Sequence, residues 1–285
     1  MSDKTLNISS LVDKANFTKS DLTYLLNLED EPSKNLLFRK AKQLENAHLN
    51  SPINSYGLIE ISTYCSENCN YCRLRKDNKS IIRERMNREQ IIEIAKEINK
   101  SGIESIVIRS GYDDFYDVDR ISYIIYSIKK YTDVEIMLSL GERTLEEYKE
   151  WKIAGASGYR LRFKSSNPIR YKSLKTYGTL ESRLEHIDYL KSIGFQICSG
   201  SIIGLPDQTS EDIAEDILLC KKLNLDIAEF LPFNSQENTP FKNLNSCSDK
   251  KVQKIVSVAK LVLNNSIRCA QPRIVFNLEN EISLS

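Results

Sequence analysis

The chain has 285 residues, with 40 basic against 39 acidic and a net charge of +1. That balance gives no electrostatic case for a nucleic acid or an anionic membrane surface as partner. No apolar run approaches the ~20 residues of a membrane-spanning helix. The length is ample for a sizeable core, as one barrel or as two smaller domains.

In chain order, Met1-Ser2-Asp3-Lys4 is not followed by the apolar stretch of a secretory leader. Residues 1–50 read as a helical extension, with helices over 19–28 and 32–47 packed at the N-terminal side of the strand-rich remainder. From residue 56 strands and helices alternate. Strands are expected over 56–63, 104–109, 133–140, 158–163, 194–203 and 226–233, with a weaker seventh over 272–276. Asn87-Arg88-Glu89-Gln90 has the pattern of a capping box. Ile91, Ile94, Ala95 and Ile98 then recur on one helical face, and Gly102 is a stop signal. Thr144 and Thr209 open two further helices, and residues 249–263 carry one more helical pattern.

Repeated βα units imply a parallel sheet with right-handed crossovers, an α/β fold of the TIM-barrel type. A complete eight-unit barrel takes about 250 residues, and 235 remain after residue 50. The expectation is an incomplete (βα)6-7 barrel over residues 51–245. A C-terminal helix and tail occupy 246–285 and leave the barrel end truncated and open.

On such a fold the site lies at the C-terminal ends of the strands, and polar motifs fall there strand by strand. They are the loop after residue 63, Arg109-Ser110-Gly111-Tyr112-Asp113, Ser139-Leu140-Gly141-Glu142-Arg143, the stretch Gly204–Thr209, and Leu231-Pro232-Phe233-Asn234. The fourth strand carries Arg160, Arg162 and Lys164 in alternation, which places all three on one face. Inward cations need an anion, either a bound carboxylate or a neighbour such as Glu142.

The loop after the first strand holds Cys65, Cys69 and Cys72. Seven cysteines, an odd number with a tight triplet, do not read as a secreted disulfide framework, and a reducing cytoplasm is the coherent address. Three thiols spaced CxxxCxxC suit three irons of a cubane cluster, leaving the fourth iron open. Zinc is the main competitor. A structural zinc site wants four protein ligands, and the two histidines, His48 and His186, are remote in sequence. Three buried cysteines are the remaining alternative. Cys198, Cys220, Cys247 and Cys269 are scattered and read as packing, although Cys269 could also quench a substrate radical.

The cysteine spacing, with Tyr71 before the third thiol, resembles that of the radical S-adenosylmethionine (SAM) enzymes. The resemblance implies a 4Fe-4S cluster on Cys65, Cys69 and Cys72 whose open iron chelates SAM. It further implies one-electron cleavage to a 5′-deoxyadenosyl radical, with the cofactor carrying the chemistry. A narrower likeness rests on Gly57–Ser62, Arg73–Asn78, Ser139–Arg143 and Gly204–Thr209. Over roughly residues 35–242 these segments resemble the HydE family, radical-SAM maturases of FeFe-hydrogenase related to biotin synthase and methylornithine synthase. Carried over by position, the likeness puts Tyr71 and Leu231 beside the adenosyl group. Ser110, Gly111 and Ser139 fall at the methionyl end, Arg162 and Arg183 at its carboxylate or the ribose, and Glu142 joins this cofactor-binding set. No catalytic acid or base is assigned.

The implied partners are a small-molecule or small iron-complex substrate, such as an iron–carbonyl–cyanide–cysteine complex, an electron donor such as ferredoxin or flavodoxin, and other maturation proteins. Three departures stand out. Tyr112 replaces a family carboxylate, Lys164 replaces an acidic residue, and the chain stops at Ser285 where the family continues. No ligands for the family's optional second cluster are present. Besides a HydE-type enzyme, the readings kept open are a relative acting on an organic substrate and a non-catalytic iron–sulfur paralogue.

Overall fold

The computed structural model describes residues 8–47, 56–263, 272–276 and 283–284. Among these residues eight strands form one sheet: β1 (Tyr56–Glu60), β2 (Ser105–Arg109), β3 (Glu135–Ser139), β4 (Gly158–Arg160), β5 (Gln196–Ile203), β6 (Ile227–Pro232), β7 (Pro272–Phe276) and β8 (Ser283–Leu284). The spatial order is β6-β5-β4-β3-β2-β1-β7-β8. From β1 to β6 each strand lies parallel beside the previous one, so six βα units form the curved half-barrel wall expected. The seventh strand is real, but it pairs in parallel with β1 at the opposite edge from β6. There β8, which lacked a recognisable sequence pattern, joins it antiparallel.

The crossovers are α4 (Arg88–Lys100), α5 (Val118–Tyr131), α6 (Leu145–Ala154), α7 (Pro168–Leu174) with α8 (Leu180–Ser192), and α9 (Ser210–Lys222). Their starts obey the sequence signals. Asn87, Thr144 and Thr209 each accept from the N3 backbone amide, and the N3 side chain answers to the cap amide. These reciprocal bonds satisfy donors that a helix start leaves orphaned.

Strand residues alternate between two apolar environments, as a sheet covered on both faces requires. Ile59, Ile106, Ile108, Ile136 and Leu138 bury against the helices. Tyr56, Leu58, Val107 and Met137 form a smaller cluster on the inner face. Behind β4, Tyr148 and Tyr159 meet edge to face and Trp151 stacks on Tyr159. Burial of each such side chain contributes about 1.5–3 kcal/mol.

Two expectations need correction. The N-terminal helices are α1 (Ile8–Val12), α2 (Lys19–Leu26) and α3 (Glu31–Ala47). They pack along α9 and α10 (Asp249–Leu263) rather than at the N-terminal side of the strands. Lys19 pairs with Glu215, Asn27 accepts from Ser210, and Lys254 donates to Leu28 O. Their apolar faces needed a hydrophobic partner, and the outer surfaces of those helices supply it. The fourth strand is also shorter than expected. It ends at Arg160, and Lys164 has φ +70°, a left-handed conformation uncommon for a residue with a side chain. His48 and Cys269 lie outside the described residues.

Candidate active site

The loop after β1 runs from Ile61 to Met86 and returns antiparallel to its own start. Ser62 bridges Arg85, and Met86 N donates to Ile61 O at 2.9 Å. Three side chains hold it in place. Tyr116 OH lies 2.8 Å from Ile61 O and 2.6 Å from Met86 O, so its one proton is shared between the two carbonyls. The Arg83 guanidinium donates to the carbonyls of Thr63, Leu74, Arg75 and Asn78. Asp113 accepts from Ser62 Oγ and, bidentately at 2.8 and 2.9 Å, from Arg85. Burial opposes ionisation of Asp113, yet these donors hold its carboxyl below the usual range.

This loop presents Cys65, Cys69 and Cys72, all free thiols. Cys65 Sγ accepts from the backbone amides of Glu67 and Tyr112, each at 3.4 Å. Burial pushes the Cys65 thiol up, those amides pull it down, and Cys72 and Cys69 add to the rise. Gly111 is required by the approach. A Cβ there would lie 2.6 Å from Cys65 Cβ and Tyr64 O and 2.9 Å from Cys65 Sγ. Among the described residues no three His, Cys, Asp or Glu side chains are drawn together around a point that could hold one metal ion.

Tyr71 packs with Leu174, Ile202, Leu205 and Phe233. Burial first, then Cys69 and Cys72, raise its phenol well above the ordinary range, with Arg162 and Arg183 opposing. Lys164 donates to Tyr71 OH, with its ammonium 5.0 Å from the ring centroid. Tyr112 OH accepts from Glu142 N at 2.8 Å and from Lys175 Nζ and Arg183 Nη2 at 3.3 Å each. Glu142 Oε2 lies 3.3 Å from Lys175 Nζ. Its Oε1 lies 2.7 Å from Arg183 Nε, a charge contact only, because that N–H points to Tyr171 OH at 3.2 Å. Burial raises the Glu142 carboxyl, but Arg183 and Lys175 outweigh it and leave it lowered.

Strand four takes a different anion from the one expected. Arg160 reaches Glu229 at 2.5 Å and Tyr56 OH at 2.9 Å, and Arg162 reaches the other Glu229 oxygen at 2.8 Å. Leu231, two residues on and therefore on the same face, is 38% exposed. At the ends of β2 and β3, Ser110 N donates to Ser139 O at 3.2 Å and Ser110 Oγ to Gly111 O at 2.7 Å. The structure thus gathers Tyr112, Glu142 and Arg183 into one buried network, with Tyr71 and Lys164 beside it and Arg162 on Glu229. Sequence reasoning missed Glu229, Lys175 and Arg83. A charge inside the apolar run Ile227–Phe230 was the available signal for Glu229; Lys175 and Arg83 stand in ordinary polar stretches.

A half-barrel whose first strand ends in a CxxxCxxC loop defines a class, and sequence comparison agrees with it. Residues 59–220 match the Radical SAM superfamily, and the chain belongs to that superfamily of enzymes. It is 34% identical over 255 residues to the FeFe-hydrogenase maturase subunit HydE of Thermotoga maritima, covering 90% of this chain and 73% of that protein. It is 24% identical over 254 residues to 3-methylornithine synthase of Methanosarcina acetivorans, covering 88% and 72%. The crystal structure of methylornithine synthase superposes with a TM-score of 0.83 at 22% identity over 91% of this chain and 77% of that one, which speaks to the fold alone.

Proposed function

We propose that the chain binds a 4Fe-4S cluster through Cys65, Cys69 and Cys72 and uses SAM in the maturation of FeFe-hydrogenase, as its likeness to HydE suggests. The observation that carries the reading is the built loop. It has three unpaired thiols, two backbone amides aimed at one sulfur, and a glycine where a side chain would displace that sulfur. The donor set fits a cluster, since thiolates are its natural ligands and hydrogen bonds to sulfur tune it. The bound cluster and SAM supply one-electron reduction and radical generation.

The protein's own side chains position and shield. Tyr71 and the Leu174, Ile202, Leu205 and Phe233 wall keep water from the rim. Ser110 and Ser139 line the ends of β2 and β3. Arg162 and Arg183 offer donors for a carboxylate or ribose, each already steadied by a glutamate. An electron-donating protein and a small substrate held inside the half-barrel complete the reading.

A second reading, action on an organic substrate, draws on one observation. Lys164 brings a cation to Tyr71 where the HydE pattern has an acid, which changes what the pocket can hold.

The test is anaerobic reconstitution with iron and sulfide, electron paramagnetic resonance with and without SAM, and assay for 5′-deoxyadenosine. A reduced-cluster signal that shifts with SAM, together with deoxyadenosine, is expected. Cys69→Ser should abolish both. Full activity in that variant would refute the cluster assignment, and a cluster that neither shifts nor cleaves SAM would point to a non-catalytic iron–sulfur protein. Hydrogenase genes beside this one would favour the maturation role over the second reading.

A further inference from the structure

Two glutamates on the inner face of the half-barrel each meet two arginines, and the two sets differ in what they leave free. Glu229 on β6 accepts a hydrogen bond from Arg160 at 2.5 Å and from Arg162 at 2.8 Å. Glu60 on β1 meets Arg109 of β2 and Arg73 of the cysteine loop as charges alone, at 3.3 and 3.7 Å. Among the described residues neither of these two guanidinium groups donates a hydrogen bond to the protein. Their side chains are 44% and 43% exposed, whereas that of Glu60 is 16% exposed.

Strand parity fixes the face on which they stand. Tyr56, Leu58 and Val107 form the inner apolar cluster, and successive side chains of a strand alternate, so Glu60 and Arg109 share that inner face. The two are direct partners in the β1–β2 register, and Ser139 of β3 is the next partner in the row. The thiol loop is adjacent. Arg73 follows Cys72 in the chain, and Arg109 stands two residues before Gly111, which abuts Cys65.

Two guanidinium groups on one carboxylate leave a surplus of one positive charge on this wall. Inward cations are stabilised by an anion, and a single carboxylate balances the surplus. Each guanidinium also presents its N–H donors in a planar fork that matches a carboxylate bidentately. Around Glu229 the equivalent donors are already engaged; around Glu60 they are unspent.

We infer that Arg73 and Arg109 seat a carboxylate of the substrate, so that the chain acts on a small carboxylate-bearing molecule. The inference deepens the proposed radical-SAM reading and rests on it, since it makes this wall part of that reaction's substrate pocket. Glu60 tethers the two guanidinium groups, and their free N–H donors clasp the incoming carboxylate. The molecule is thereby held against the inner wall beside the cysteine loop, while Arg162 and Arg183 remain for the cofactor.

The experiment uses the reconstituted full chain with propionate as the probe and propionamide as its uncharged isostere, at matched ionic strength. Phenylglyoxal, which modifies accessible guanidinium groups, is applied with and without each probe, and modified positions are mapped by peptide mass spectrometry. Propionate should slow modification of Arg73 and Arg109 by about threefold or more, and propionamide should not. Arg88 and Arg120, 60% and 50% exposed on the outer helices, should react at the same rate throughout. By calorimetry, Arg109→Gln should weaken propionate binding about tenfold, and Arg109→Lys, which keeps the charge without the fork, should recover little of it.

Equal protection by propionamide, or protection that extends to Arg88 and Arg120, would overturn the inference. So would wild-type propionate affinity in Arg109→Gln. A parallel fall in SAM affinity would overturn it as well, because the pair would then hold the cofactor's own carboxylate. Arginine mapping needs no cluster. A chain that takes up no cluster would therefore refute the proposed function, while protection of Arg73 and Arg109 would still decide the carboxylate seat.

Discussion

Glu229 is the counter-charge of the barrel interior, and Glu229→Gln is the perturbation with the most calculable consequence. Its two oxygens serve different cations, Arg160 at 2.5 Å and Arg162 at 2.8 Å, and Arg160 is buried. Glutamine keeps the shape and one acceptor oxygen but leaves two guanidinium groups without an anion. Removing one partner of a buried pair costs about 3–5 kcal/mol. For a domain of this size, each kcal/mol moves the melting temperature by about 2 °C, so a fall of about 6–10 °C is expected.

The pH dependence supplies a second check. Burial raises the Glu229 carboxyl, but Arg162 and Arg160 outweigh it and leave it lowered. A depressed carboxyl stabilises above its unfolded pKa of about 4.3, and that stability is lost as pH falls through the lower folded value. The gap between wild type and variant should therefore be full at neutral pH and close in acid. Thermal unfolding monitored by circular dichroism across this range is the assay. A fall of less than about 2 °C at neutral pH would refute Glu229 as the organising anion. A gap that persists in acid would refute its charge as the cause.

Other outcomes test the loop, the rim and the scaffold. Gly111→Ala forces a Cβ to within 2.6 Å of Cys65 Cβ and Tyr64 O. It should cost about 1–3 kcal/mol and reduce iron uptake on reconstitution; normal iron content would show that the loop yields freely. Lys164→Glu restores an acid beside Tyr71. At ~4–5 Å and an effective dielectric of about 20, exchanging repulsion of a sulfonium for attraction is worth a few kcal/mol before screening. SAM affinity measured by calorimetry should rise at least tenfold, and unchanged affinity would place the sulfonium elsewhere. Asp216, behind β5, is pushed up to about 6 by burial, although Ser166 donates to it twice. Because its folded pKa exceeds the ordinary value near 3.8, the folded chain holds the extra proton, and this group makes stability fall as pH rises from about 4 to 6. Asp216→Asn should flatten that slope; an unchanged slope would exclude Asp216 as its source.

Legibility in the sequence tracks interaction range. Six strands, the capping boxes at Asn87, Thr144 and Thr209, and the cysteine loop are written in residues a few positions apart. The placement of β7 beside β1 joins residue 272 to residue 56, and nothing local to either segment encodes it. The docking of α2 on α9 is hidden in the same way, since an amphipathic face announces burial but not its partner. Arg83 illustrates the limit inside the loop itself. Its four acceptors are backbone carbonyls, and a backbone carbonyl is the one partner that no residue pattern reveals.

The alternation of Arg160, Arg162 and Lys164 was correct as a pattern and incomplete as geometry, and the difference bears on function. A strand of period two predicts three cations sharing one anion. Instead the chain leaves the strand, Lys164 enters a left-handed conformation, and its ammonium meets Tyr71 rather than Glu229. Arg160 and Arg162 are satisfied by Glu229, and Arg183 and Lys175 by Glu142. Among the described residues Lys164 is left against a phenol whose pKa burial has raised, and so against a neutral partner. A cation so placed, beside the thiol loop and at the mouth of the half-barrel, is stabilised most by an anion that arrives with a ligand. Lys164 is therefore the residue at which this chain's substrate preference should part from that of relatives with an acid there.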